Sequence, residues 1–351
     1  MTRLSLLLTS LLAVMLTACG GSHRATDKSE AFTDEIYTPE YARCFKILAN
    51  ADGQKLLEVY QPWQSETSAD TARLIIPAEG FQRIVCMSST HLAYIDELNE
   101  LDRVVGVSGM QYISLPGVLQ RSAQLVDVGY DAAMNYEALI AARPDAVLIY
   151  GVGARSGIED KLKELDVPYV YIADFVEQDP LGRAEWLVAL GALVGKTDFA
   201  EQRFREIASA YQQIRSQAKA GTQRPKVMLN APYASSWFMP AVNSEIAHLI
   251  DDAGGDYIYR ENTGNGAAPI DMEQAVMLLR KADIWLNTGQ LKTLNDLRQA
   301  APKAKFAGPV YNHRGSFFET GMVHPERILE DLTNIFHGND TTELHYYFRL
   351  Q

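Results

Sequence analysis

Several features that define common protein classes are scarce in this chain of 351 residues. It has three cysteines, and none has CxxC or Cys/His zinc spacing, so neither a disulfide scaffold nor a structural zinc site is indicated. Basic residues are outnumbered 32 to 44 by acidic ones, which argues against binding nucleic acid through phosphate contacts. Beyond the N-terminus no run of about 18 apolar residues occurs, so the body of the chain is not expected to span a membrane.

Motifs of common enzymes are also missing. The chain lacks a Walker A loop, a GxSxG nucleophile elbow and an HExxH zinc motif. Gly151, Gly153 and Gly157 with Asp174 form only a loose dinucleotide fingerprint, because the third glycine comes one position too late. The sequence therefore predicts no enzyme, no cofactor and no catalytic residue, with a Rossmann-like enzyme as a minor alternative.

The N-terminus is typical of an exported protein. A short basic start is followed by an apolar stretch from Leu4 to Leu16, too short for a transmembrane helix, and small residues precede Cys19. Leu16–Cys19 resembles the bacterial lipoprotein box, in which the cysteine is diacylated; an ordinary signal peptide with an incidental cysteine is the alternative. We predict a signal peptide over 1–18, lipidation of Cys19, a tether over 19–40, and anchorage on the periplasmic side of a bacterial membrane. The sequence leaves open which membrane holds the anchor and whether the other two cysteines, Cys44 and Cys86, pair.

The rest of the chain alternates between strand and helix patterns. Residues 41–80 indicate a β-rich extension that includes a hairpin at Asp52-Gly53. Strands and amphipathic helices then alternate over 81–196, a long helix with one apolar stripe follows within 197–222, and the alternation resumes over 223–340. The predicted fold is α/β: two doubly wound lobes joined by one long helix, with a ligand cleft between them and a small N-terminal extension.

The two lobes contain a repeated pattern. A capping residue, Asn135 or Asp271, precedes a glutamate in the first turn of a helix, Glu137 or Glu273, and each helix leads into a strand. Carboxylates are favourable at this position because of the helix dipole. On spacing alone, both glutamates are explained by helix capping.

Over residues 81–340 the chain resembles the substrate-binding proteins of ABC importers for ferric siderophores, haem or cobalamin. The resemblance is carried by Arg83–His91, Asp102–Val107, Val128–Tyr130, Met134–Asp145 and the restart at Lys226. It implies that the partners are a metal-chelate ligand and an ABC permease dimer. It also implies that Glu137 and Glu273, one on each lobe, dock onto the permease.

In such sheets ligands bind beyond the carboxyl ends of the strands. The side chains expected there would offer flat apolar faces or charge. They are His91, Tyr112, Tyr130, Tyr150, Tyr233, Trp237, Tyr311 and Arg314. The loops hold little tryptophan, unlike those of the family's cobalamin binders, so the sequence does not separate a ferric chelate from a corrinoid.

A bare Zn or Mn ion is the principal alternative ligand. Only His91, His313 and His324 of the seven histidines fall near predicted strand ends, and none has metal-ligand spacing, so no metal site is predicted. A scaffold or adhesion protein is a third possibility, which would need no polar and aromatic set at the strand ends.

Overall fold

The computed structural model describes residues 31–60, 71–150, 157–219, 221, 223–233, 236–338 and 343–351. The predicted signal peptide, Cys19 and the first part of the tether lie outside the described residues. So do Gly151 and Gly153 of the loose dinucleotide fingerprint.

The N-terminal extension is a four-stranded antiparallel sheet in chain order. Its strands are β1 (Asp34–Tyr37), β2 (Phe45–Ala49), β3 (Lys55–Tyr60) and β4 (Thr71–Ile76). The hairpin between β2 and β3 turns at Gly53, whose φ of 78° suits glycine. β1 is a correction to the sequence prediction, which assigned its short and largely exposed segment to the tether.

The N-terminal lobe (N lobe) contains five parallel strands in the order β7-β6-β5-β8-β9. These are β5 (Ile84–Cys86), β6 (Val104–Val107), β7 (Val126–Asp127), β8 (Ala146–Tyr150) and β9 (Tyr169–Ile172). Its connecting helices are α1 (Ser89–Glu97), α2 (Pro116–Gln120), α3 (Tyr136–Ala142) and α4 (Ile158–Glu164). β5 and its neighbours are buried on both faces, as expected for a parallel sheet covered by helices.

Two further helices connect the lobes. All residues of α5 (Pro180–Leu193) are buried, because it packs against α6, α1 and the extension. The long helix α6 (Thr197–Ala218) buries one stripe, including Phe204, Ile207 and Tyr211, as its spacing predicts.

Two carboxylates of the N lobe hold the extension against α5. Both Glu185 oxygens accept hydrogen bonds, from the Tyr37 hydroxyl and from the backbone N–H groups of residues 40–42, at 2.7–2.8 Å. Glu177 accepts from the N–H groups of Arg43 and Cys44. Five consecutive backbone donors therefore end on two glutamates, and the extension is part of the N-lobe structure.

The C-terminal lobe (C lobe) contains a second five-stranded sheet, in the order β12-β10-β14-β15-β16. Its strands are β10 (Lys226–Leu229), β12 (Asp256–Tyr257), β14 (Ile284–Leu286), β15 (Val310–His313) and β16 (Tyr347–Arg349); β11 (Trp237–Met239) and β13 (Ala268–Ile270) form a separate antiparallel pair. The helices are α7 (Glu245–Asp252), α8 (Met272–Leu279), α9 (Leu294–Ala300) and α10 (Pro325–Phe336).

The last strand corrects the predicted end of this lobe. β16 lies beyond residue 340 and pairs antiparallel with β15, so the lobe continues almost to the end of the chain. The structure confirms the predicted fold class in its remaining features: two α/β lobes, a long connecting helix and a β-rich extension.

Candidate functional site

The carboxyl edges of the two sheets face each other. Ser114, after β6, donates its backbone N–H to Glu319, after β15, at 2.9 Å, and the serine hydroxyl bonds the same carboxylate. On the other side Arg183, on the helix after β9, pairs with Glu245 at the start of α7 at 2.8 Å. Ser114 and Glu319 lie beyond the carboxyl ends of sheet strands, whereas Arg183 lies on α5 and Glu245 on α7 of the C lobe. We call the space between these two contacts the interlobe cleft.

Exposed aromatic rings are concentrated on these edges. Tyr112 (78% exposed), Tyr130 (57%) and Tyr233 (77%) lie where the sequence placed ligand contacts. Tyr150, at the end of β8, is half-buried against the N-lobe core. The structure adds three rings that the sequence prediction missed, Phe175 (63%), Phe238 (39%) and Phe318 (56%).

Trp237 and Tyr311 do not present their rings to the cleft and correct the sequence prediction. Trp237 is fully buried, lies 5.4 Å from the ring of Trp285 between centroids, and donates its indole N–H to the carbonyl of Leu229 at 2.8 Å. Tyr311 belongs to the same C-lobe core. In β11 the alternation of side chains buries Trp237, whereas β15 is buried on both faces from Val310 to Asn312, which includes Tyr311.

His91 lies at the predicted strand end but is also fully buried, in the first turns of α1. Burial lowers the pKa of His91 to about 4, although the nearby Asp174 carboxylate opposes that shift, so the ring is neutral at physiological pH. The side chain does not reach the cleft surface. This also corrects its assignment as a ligand contact.

A buried ion group lies beneath the N-lobe edge. Arg183 pairs with Asp174 at 3.2 Å as well as with Glu245, so one guanidinium joins the two lobes. The ring of Phe175 covers that guanidinium, with 5.7 Å from the guanidinium carbon to the ring centre. The exposed ring of Phe175 and the interlobe contact with Glu245 therefore involve the same cation, Arg183.

Arg314 lies at the C-lobe edge, as predicted, and is exposed. It donates to the backbone carbonyls of Leu344 and Tyr347 and lies 6.0 Å from the centre of the Phe348 ring. Next to it, burial lowers the pKa of His313, and the neighbouring Lys292 charge adds to that effect. This edge of the C lobe is therefore basic and aromatic.

Glu137 and Glu273 occupy equivalent exposed positions on the two lobes. The capping bonds at these helix starts come from other residues: Asn135 accepts from the N–H of Ala138 at 3.0 Å, and Asp271 from that of Gln274 at 2.7 Å. In the part of the chain that the structure describes, neither glutamate has an ion-pair or hydrogen-bond partner. An exposed apolar residue, Ile140 or Met277, lies one turn further along each helix.

Neither a disulfide between Cys44 and Cys86 nor a metal site is present in the described ranges. Cys44 and Cys86 are buried free thiols, and burial raises the pKa of each. Those ranges contain no group of three or more His, Cys, Asp or Glu side chains arranged to hold a metal ion. They also contain no helix with the length and apolarity needed to cross a bilayer.

Comparisons with known proteins agree with this architecture. A sequence profile of the family described as periplasmic binding protein matches residues 84–306. An uncharacterized lipoprotein of Methanocaldococcus jannaschii is 27% identical over 315 residues, which cover 84% of this chain and 75% of the relative.

Two solved structures share the fold. One is a periplasmic heme binding protein from Pseudomonas aeruginosa, with TM-score 0.60, 18% identity, and coverage of 74% of this chain and 93% of the other. The second is a periplasmic vitamin B12 binding protein of Vibrio cholerae, with TM-score 0.56, 14% identity, and coverage of 75% and 99%.

Proposed function

Because this chain belongs to the periplasmic binding protein family, we propose that it is the substrate-binding lipoprotein of an ABC importer. Its ligand is a chelated metal nutrient: a ferric siderophore, haem or cobalamin. The chain captures the ligand between its lobes and delivers it to a permease dimer. The observation that carries this proposal is the concentration of exposed aromatic rings on two facing strand edges.

The ligand contacts that we propose come from both lobes. Tyr112, Tyr130 and Tyr150 contribute from the N lobe, and Tyr233 and Arg314 from the C lobe. Exposed rings on opposite walls suit a ligand with large flat or conjugated faces, because both walls can stack on it. The interlobe contacts at Ser114–Glu319 and Arg183–Glu245 limit how far the walls move apart.

A titration tests ligand capture. We expect ferric siderophore, haem or cyanocobalamin to quench the intrinsic fluorescence of the protein. Tyr112→Ala and Tyr233→Ala should each weaken binding by up to about tenfold, the value of one aromatic contact. Phe199→Ala is the matched control, because Phe199 is an exposed ring on α6 outside the strand edges. Tight Zn or Mn binding without a response to any of the three chelates would instead support the bare-metal alternative.

We also propose that Glu137 and Glu273 dock the chain onto the permease. Their carboxylates are exposed and unpartnered among the described residues, and Asn135 and Asp271 already cap the two helices. A rigid protein with one such carboxylate on each lobe fits a two-fold partner with a basic residue on each half. Charge complementarity of this kind orients the approach of two proteins and weakens with added salt.

Transport separates docking from helix capping. Glu137→Ala, Glu273→Ala and the double variant should keep wild-type ligand affinity and melting temperature, while the double variant loses uptake in cells or proteoliposomes. Glu164→Ala, which removes an exposed glutamate on α4, is the control. Normal uptake by the double variant would refute docking, and a lowered melting temperature with normal uptake would indicate capping.

We propose that acyl chains on Cys19 hold the chain on the periplasmic side of a bacterial membrane. The lipobox and the lipoprotein relative support this anchor. Anchorage beside the permease would keep the binding protein at high effective concentration.

A further inference from the structure

One part of the C-lobe edge combines aromatic and cationic side chains. It consists of Lys292, after β14, and His313, Arg314 and Phe318, at the end of β15 and just beyond it; we name these four residues the C-lobe rim. The rim borders the cleft, because Glu319, the residue after Phe318, makes the contact with Ser114 of the N lobe.

The Phe318 ring is exposed but held in place. Its centre lies 4.8 Å from that of His313 and 5.2 Å from that of Phe317, and both neighbours meet it nearly at right angles. His313 itself stacks on Phe317 at 4.9 Å. An aromatic surface fixed in this way binds a flat ligand without the cost of ordering a side chain.

Among the residues that the structure describes, the two cations of the rim have no acidic partner. Lys292 and Arg314 each lie 6.0 Å from the centre of the Phe348 ring, and their polar contacts are with backbone carbonyl oxygens. Neither forms an ion pair with a carboxylate of the described residues. In a chain with 44 acidic residues and a net charge of −12, two adjacent unpaired cations at the cleft produce a local positive field.

We infer that the C-lobe rim selects, among chelates, a ligand that presents a flat conjugated face together with an anionic group. The inference rests on the proposed function and specifies its ligand class. Phe318 contacts the flat face, while Arg314 and Lys292 bind carboxylate or phenolate oxygens through charge-assisted hydrogen bonds. Cyanocobalamin has no net charge, because the cobalt centre balances its single phosphodiester, and it carries no carboxylate or phenolate. The positive rim therefore attracts it less, and it binds more weakly.

Three probes of different charge test the inference. We would measure the affinity of hemin, which carries two carboxylates, of an anionic ferric tris-catecholate, and of neutral cyanocobalamin, at low and high salt. The wild type should prefer an anionic probe by about tenfold or more, the value of one hydrogen bond to a charged group, and that affinity should fall with salt.

The variants separate charge from stacking. Arg314→Gln with Lys292→Gln should abolish most of the salt dependence and the preference for anionic probes, while Phe318→Ala should weaken binding at every salt concentration. Lys281→Gln and Phe199→Ala, an exposed cation and an exposed ring outside the rim, should bind as the wild type does.

The outcomes distinguish this inference from the proposed function. Failure of all three probes with the wild type would overturn the proposed function itself. Binding by the wild type that is unchanged in the charge variant, or that favours cyanocobalamin, would overturn the role of the rim and leave chelate capture intact.

Discussion

Removing the Glu185 carboxylate should strongly destabilise the folded chain, because this one side chain accepts four hydrogen bonds from the N-terminal extension. In Glu185→Ala the N–H groups of Tyr41 and Ala42 lose their acceptor inside the protein, whereas Glu40 is exposed and the Tyr37 hydroxyl can rotate toward another acceptor. Each buried donor left without an acceptor costs about 1–3 kcal/mol, so we expect a loss of about 2–6 kcal/mol in the free energy of unfolding.

Glu185→Gln refines the test, because an amide keeps one acceptor oxygen. That oxygen can accept the hydrogen bonds from the N–H groups of Tyr41 and Ala42. The amide N–H₂ then faces the Tyr37 hydroxyl and the exposed backbone N–H of Glu40. The expected loss is therefore smaller, about 1–3 kcal/mol.

Urea unfolding followed by circular dichroism measures these losses, and limited proteolysis shows whether the extension over 31–60 becomes the first site of cleavage. Glu164→Ala, which removes an exposed helical ion pair with Lys161, should cost less than about 0.5 kcal/mol. The reasoning is wrong if Glu185→Ala loses no more than this control, or if the glutamine variant loses more than the alanine variant.

Two further predictions concern pH and anchorage. His324 donates to Glu97 of the N lobe at 3.0 Å and to Glu326 at 3.1 Å; burial opposes its charge, but the two carboxylates outweigh burial and raise the pKa of His324. The charged His324 therefore contributes fully to the stability of the folded chain below about pH 6.5, and this contribution is lost as pH rises through the raised pKa. His324→Gln should flatten this part of the curve of stability against pH, measured by thermal unfolding. Cys19→Ser should move the protein from the membrane pellet to the released fraction, and a variant that stays in the pellet would rule out lipidation as the anchor.

Sequence patterns predicted the fold best where burial leaves a periodic signal. The stripe on α6 and the capped starts of α3 and α8 are found within one or two residues of their predicted positions. α5 was missed because it is buried on all sides, so its sequence has no polar face to mark it as a helix. β7, with two residues, is too short to produce an alternating pattern.

The site was predicted by region more reliably than by residue. Strand ends located the cleft edges, but which ring faces outward depends on strand register, and register is set by pairing with distant residues. In β11 Trp237 and Met239 are buried while Phe238, between them, is exposed, so the prediction was displaced by one position. Phe175 and Phe318 follow strands in short 3₁₀ turns, for which the sequence gave no periodic signal.

The burial of α5 has a practical consequence for anyone shortening this chain. The family profile matches residues 84–306, and a protein trimmed to those limits would lose the sheet that covers α5 as well as strands β15 and β16. Glu185, which binds the extension, and Arg183, which reaches the C lobe, are two residues apart on that helix. Trimming at the family boundary would therefore expose an apolar helix to solvent and disturb the Arg183–Glu245 contact between the lobes at the same time. Recombinant work on the binding site should retain residues 31–351.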